Sequence, residues 1–144
     1  MKSKLILLSC VIVLALILLT CSSIPSSSIS PIELSCDDFR ATNTISKEIT
    51  VVPGDTFTII LCSNATTGFK WTETPQISDT DVMMQISHKF EPPENTGMVG
   101  APGKETWTFK ALKTGTATMQ MTYSQPWGGG EKDTWVLNLS VVVK

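Results

Sequence analysis

Four cysteines and a single histidine are the residues best equipped for nucleophilic catalysis or metal binding, and their spacing argues against both. Cys10 lies inside an apolar leader, and Cys21 closes it. Cys36 and Cys62 have no histidine near them in sequence, the only one being His88, so neither reads as catalytic. His88 stands without Cys, Asp or Glu at ligand spacing, so it reads as a residue at the edge of a core face rather than a metal ligand. Asp37-Asp38 and Asp79-Thr80-Asp81 lack the liganding pattern and glycine of a calcium loop. A serine or cysteine nucleophile with its base, paired carboxylates and a phosphate loop are all missing from the sequence pattern, which argues against an enzyme. No cofactor or metal is implied.

Recognition chemistry is better represented. Three turn-rich segments carry residues that a plain connection would not need: Asn64-Ala65-Thr66-Thr67-Gly68-Phe69, Gly97-Met98-Val99-Gly100-Ala101-Pro102-Gly103 and Gln125-Pro126-Trp127-Gly128-Gly129-Gly130. Asn64 can close a side-chain turn, Gly68 permits a positive φ, and Thr66 and Thr67 put small hydroxyls at a tip. The second loop, from about Pro92 to Lys104, is long for a small β domain and offers Met98 and Val99 as apolar contacts. In the third, Pro126 stiffens the approach to Trp127, a residue type enriched in binding hot spots. Each loop has an ordinary alternative: a hairpin turn with a satisfied Asn, a connector, and a tryptophan folded back over the end of the domain.

The elements that must position these loops are strands. Phe57, Ile59 and Leu61 alternate with Thr56, Thr58 and Ile60; Trp107, Phe109 and Ala111 alternate with threonines and Lys110. Ala117, Met119, Met121 and Tyr123 form a third such face, and Trp135, Leu137, Leu139, Val141 and Val143 a fourth. This period of two marks half-buried strands. Val82, Met84, Ile86, His88 and Phe90 are expected to share one face on the same argument. Pro53-Gly54-Asp55 and Lys113-Thr114-Gly115 supply turns. No stretch after Ser22 shows a helical repeat of ten or more residues. About seven short strands with regular turns predict an all-β sandwich in one domain.

The remaining chain concerns export. Met1-Lys2-Ser3-Lys4 precedes a run from Leu5 to Leu19 that is apolar except for Ser9. That matches the charged and apolar regions of a secretory signal, and is shorter than the roughly 20 residues of a spanning helix. Residues 1–21 are therefore read as a signal. Leu18-Leu19-Thr20-Cys21 resembles a bacterial-type lipobox, making Cys21 a candidate for lipidation; plain cleavage and an uncleaved anchor are the alternatives. Residues 22–32 are a Ser/Pro-rich tether, and 33–144 the folded domain. Without Lys2 and Lys4 the chain holds 9 basic and 13 acidic residues, with no basic cluster, so nucleic-acid binding is not supported. In an exported domain Cys36 and Cys62 form a possible disulfide, the alternative being two buried thiols. Asn64-Ala65-Thr66 and Asn138-Leu139-Ser140 are glycosylation triplets, common by chance.

Taken together, the three loops resemble those of the chagasin family, protein inhibitors of papain-like cysteine peptidases. The family motifs N-P-T-T-G-F/Y, G-x-G-G with a following Trp-containing strand, and R-P-W/F appear here as Asn64 to Phe69, as Gly100-Ala101-Pro102-Gly103 with Trp107, and as Gln125-Pro126-Trp127. They occur in family order, across roughly Ile49 to Val143. Three departures stand out: Ala65 for proline, Pro102 for glycine and Gln125 for arginine. The resemblance implies an immunoglobulin-like sandwich with the loops side by side, a monomer that blocks a peptidase cleft. Thr66, Thr67 and Gly68 would enter, while Trp127 and the main chain of Gly100 to Gly103 clasp the walls. It implies no catalytic residue, and membrane contact only through the signal or a lipid. The competing reading is a general immunoglobulin-like surface module for another protein or a glycan.

Overall fold

The computed structural model describes residues 29–94 and 100–144. The expected signal with Cys21, the start of the expected tether, and Gly97, Met98 and Val99 lie outside the described residues. Among the described residues there are eight strands, where the sequence predicted about seven: β1 (Ile32–Leu34), β2 (Thr44–Val51), β3 (Thr56–Ser63), β4 (Lys70–Trp71), β5 (Met83–Glu91), β6 (Gly103–Ala111), β7 (Gly115–Ser124) and β8 (Trp135–Val143). They form two four-stranded sheets, ordered β1-β3-β6-β5 and β2-β8-β7-β4. The pairs β1/β3 and β2/β8 are parallel and the rest antiparallel.

The alternating faces read from the sequence close on one another to make the core. Phe57, Ile59, Leu61, Trp107 and Phe109 from one sheet meet Ala117, Met119, Met121, Leu137, Leu139 and Val141 from the other, all essentially buried. Each large apolar side chain removed from water contributes about 1.5–3 kcal/mol, which is what holds two sheets of otherwise threonine-rich strands together.

β5 departs from the expected pattern. Its pairing with β6 shifts between Gln85 and Ser87, so two residues of β5 oppose one of β6 at this point. Before the bulge the odd residues Met83 and Gln85 face inward opposite Ala111 and Phe109; after it, His88 faces inward opposite Trp107. Met84 and Ile86 are therefore exposed, not core, and Val82 is buried from a position before the strand. The period-2 reading placed all five residues on one face because a single inserted residue is invisible to it.

A short helix, α1 (Cys36–Ala41), follows β1. Its start is a capping box: the Ser35 hydroxyl accepts the Asp38 N–H at 3.2 Å, and the Asp38 carboxylate accepts the Ser35 N–H at 2.7 Å. The helix buries Phe39 completely, its ring 5.1 Å from Trp71 and 5.3 Å from Trp135. Cys36 and Cys62 are disulfide-bonded with Cα atoms 5.2 Å apart, which clamps α1 to the end of β3.

Candidate functional site

The first loop leaves β3 at Ser63 and makes a single 3-10 turn over Ala65–Thr67. Asn64 organises it. Its side-chain oxygen accepts the Thr66 N–H at 3.2 Å and the Thr66 hydroxyl at 2.6 Å, while the Thr67 hydroxyl donates to its main-chain oxygen at 2.7 Å. Gly68 closes the turn at φ 78°, a left-handed conformation that suits a residue without Cβ. Ala65, Thr66 and Thr67 are left exposed at the tip, and Phe69 turns under it to stack on Tyr123 at 5.3 Å.

Two contacts bring the other loops to the same edge. The Asn64 side-chain amide donates to the Gly100 carbonyl at 2.9 Å, joining the first loop to the second. The Trp127 ring lies over Gly68, where an added Cβ would stand 2.5 Å from Cη2, joining the first loop to the third. Half of Trp127 nonetheless stays exposed. The ring is thus partly folded back over the first loop and partly open to solvent.

The third loop is stiffened from within. The Trp127 carbonyl accepts the Gly130 N–H at 3.3 Å, and Gly129 sits at φ 77° in that turn. Gln125 exchanges bonds with Glu131: its N–H donates to the Glu131 carbonyl at 2.8 Å and its side-chain oxygen accepts the Glu131 N–H at 3.1 Å. The Lys132 amine donates to the Gln125 and Trp127 carbonyls. Pro126 is exposed.

In the second loop Ala101 is half-buried and Pro102 exposed, but Gly103 is buried. A Cβ on Gly103 would fall 2.3 Å from the Glu91 carbonyl, so this glycine lets β6 approach β5 and supports the edge from below.

The sequence reading listed Tyr123 only as a strand residue. Its hydroxyl accepts the Asn64 N–H at 2.9 Å from a buried position between Phe69, Trp71 and Trp135. A lone tyrosine at the loop end of an apolar face was the available signal, because a buried phenol needs a partner. Beneath the first loop, buried Glu105 accepts the Ser63 hydroxyl at 2.6 Å and faces His88 Nε2 at 2.8 Å, while His88 stacks on Trp107 at 4.7 Å. The carboxylate stands between serine and histidine, so the histidine is not placed to deprotonate the serine, and the trio is not a hydrolytic triad. Among the described residues no group of three or more Cys, His, Asp or Glu could hold a metal.

Two sheets packed face to face, with three loops gathered at one end, define an immunoglobulin-like binding module. Residues 50–139 match the Chagasin family peptidase inhibitor I42, and the chain belongs to that family, whose members are peptidase inhibitors rather than enzymes. Amoebiasin-2 of Entamoeba histolytica is 38% identical over 91 residues, covering 62% of this chain and 72% of the relative. Chagasin of Trypanosoma cruzi is 33% identical over 88 residues, covering 60% and 79%. The crystal structure of the cysteine protease inhibitor EhICP2 from Entamoeba histolytica superposes with a TM-score of 0.58 at 28% identity, over 79% of this chain and 96% of that one. PbICP-C, solved in complex with falcipain-2, shares the fold with a TM-score of 0.50 at 17% identity, over 81% and 95%.

Proposed function

We propose that this protein is a reversible, competitive inhibitor of papain-like cysteine peptidases that acts by steric blockade. One observation carries the reading: Asn64 and Gly68 tie the first loop to Gly100 on one side and Trp127 on the other, joining the three loops in one edge. Small exposed residues at the tip, Ala65, Thr66 and Thr67, fit a narrow cleft without clash. Trp127, Pro126 and Pro102 flank the tip as wall contacts. Because these inter-loop contacts exist before binding, less entropy is lost on docking. No bond to the inhibitor is broken and no catalytic group is required.

The relatives support the class of target. EhICP2 is a cysteine protease inhibitor, and PbICP-C was captured on falcipain-2. Export, with Cys21 as the lipid site or a cleaved and secreted form, is proposed from the leader composition alone.

The test is a titration of active papain with the purified protein. Near-stoichiometric loss of activity, relieved by competing substrate, is expected. Full papain activity at micromolar protein would overturn the reading. Exchange of Thr66, Thr67 and Gly68 for alanine is expected to abolish inhibition, whereas a module that binds its partner elsewhere would be indifferent to it.

A further inference from the structure

Helix α1 precedes residue 50, where the family match begins, yet its disulfide to Cys62 holds it beside the loop edge. Cys36 is bonded to Cys62, two residues before Asn64, and Phe39 is sunk between Trp71 and Trp135. A covalent bond and a buried ring thus hold a six-residue helix in place. Its outward face carries Arg40, the only arginine of the chain.

Arg40 borders a cavity of about 270 Å3 between α1 and the first two loops. Phe69, Tyr123 and Trp135 give it an aromatic lining, and Thr67 and Pro102 belong to its wall. The volume suits one side chain. Aromatic faces accept a methylene stem, and a guanidinium at the border calls for a carboxylate at its end. Arg40 has five N–H donors, and its Nη1 donates to Asp37 Oδ1 at 2.6 Å in an exposed pair that is easily exchanged for a better partner.

We propose that this cavity is a fourth contact of the inhibitory edge: it receives an acidic side chain from the rim of the blocked peptidase, whose carboxylate Arg40 binds. The proposal rests on the inhibitor reading above. It is continuous with the loop edge, since Thr67 and Pro102 belong to both. The clamped helix presents Arg40 with little ordering cost on docking.

Papain serves as the probe, with the whole protein and its Arg40→Ala and Arg40→Glu variants. Thermal midpoints establish that the variants fold, as expected for an exposed side chain. The expected result is a faster dissociation of the papain complex, several-fold for Arg40→Ala and about tenfold or more for Arg40→Glu. Hydrogen exchange of the complex should also show slowed amides over Cys36–Ala41. Wild-type dissociation in Arg40→Glu, with α1 amides unprotected while residues 64–69 and 125–130 are protected, would overturn the fourth contact and leave the three-loop reading intact. Absence of any complex with the wild-type protein would overturn both.

Discussion

Gly68 and the indole of Trp127 are in direct contact, and that contact is what makes the first and third loops one surface. A methyl at residue 68 meets two obstacles at once: a left-handed backbone at φ 78° and a ring carbon at 2.5 Å. Gly68→Ala should therefore cost about 1–2 kcal/mol in stability and displace Trp127. Of the four tryptophans, Trp127 is the exposed one, so acrylamide quenching of fluorescence reports its movement. Greater quenching together with weaker papain inhibition is expected; an unchanged inhibition constant would separate the contact from function.

Tyr123 anchors the same loop from below. Its hydroxyl accepts the Asn64 N–H at 2.9 Å in a buried setting, so Tyr123→Phe leaves that N–H unpaired without opening a cavity. A loss of about 1–3 kcal/mol is expected from denaturant melts. Hydrogen exchange should localise the loosening to residues 64–68, and a ring that held the loop by packing alone would leave exchange there unaltered.

The Cys36–Cys62 bond closes a loop with a sequence separation of 26 residues. In the chain-entropy model such a closure stabilises by roughly 3 kcal/mol, equivalent to a fall of about 10 °C or more in Tm when it is lost. A thiol reductant should lower the Tm of the wild-type protein to that of the Cys36→Ala, Cys62→Ala double variant, and leave the variant itself unmoved. Papain is assayed in reductant, so this control also bears on how inhibition is measured.

The Asp38 carboxyl is held below its ordinary value of 3.8, first by the Ser35 hydroxyl and then by the Ser35 N–H. A lowered folded-state pKa stabilises above the unfolded value and ceases to do so as pH falls through the folded one. The Tm difference between the wild type and Asp38→Asn should hold steady from neutral pH to about 5 and shrink below about 3.8. A difference independent of pH down to 2 would mean that the capping box, not the charge, is what matters.

Much of this was legible in the sequence because burial in a sandwich imposes a period of two, and β3, β6, β7 and β8 obey it. What stayed hidden depends on interruptions or on distance. The bulge at Ile86 inverts the faces of β5 with one residue, and β1 at three residues is too short to show a period. Helix α1 is one capped turn and a half, below the length at which a helical repeat is visible. The loop motifs could be recognised residue by residue, yet the reasons for them could not. That Asn64 reaches Gly100, that Trp127 covers Gly68, and that Gly103 is a packing glycine all involve partners brought near only by the fold.

The tip gives the sharpest separation of function from stability. Thr67 is exposed, and its hydroxyl and its N–H both donate to the Asn64 carbonyl, within its own turn. Thr67→Arg keeps the helical backbone of that turn and adds a long cation where a cleft would have to close around it. Stability should change by no more than about 1 kcal/mol, the range of a neutral local hydrogen bond. Inhibition of papain should fall by two orders of magnitude or more, because a clash at the centre of an interface cannot be relieved by its rim. Circular dichroism melts and a papain titration on the same preparation measure both. Retained inhibition with an intact fold would place the blocking contact away from the tip, on the walls formed by Trp127 and Pro102.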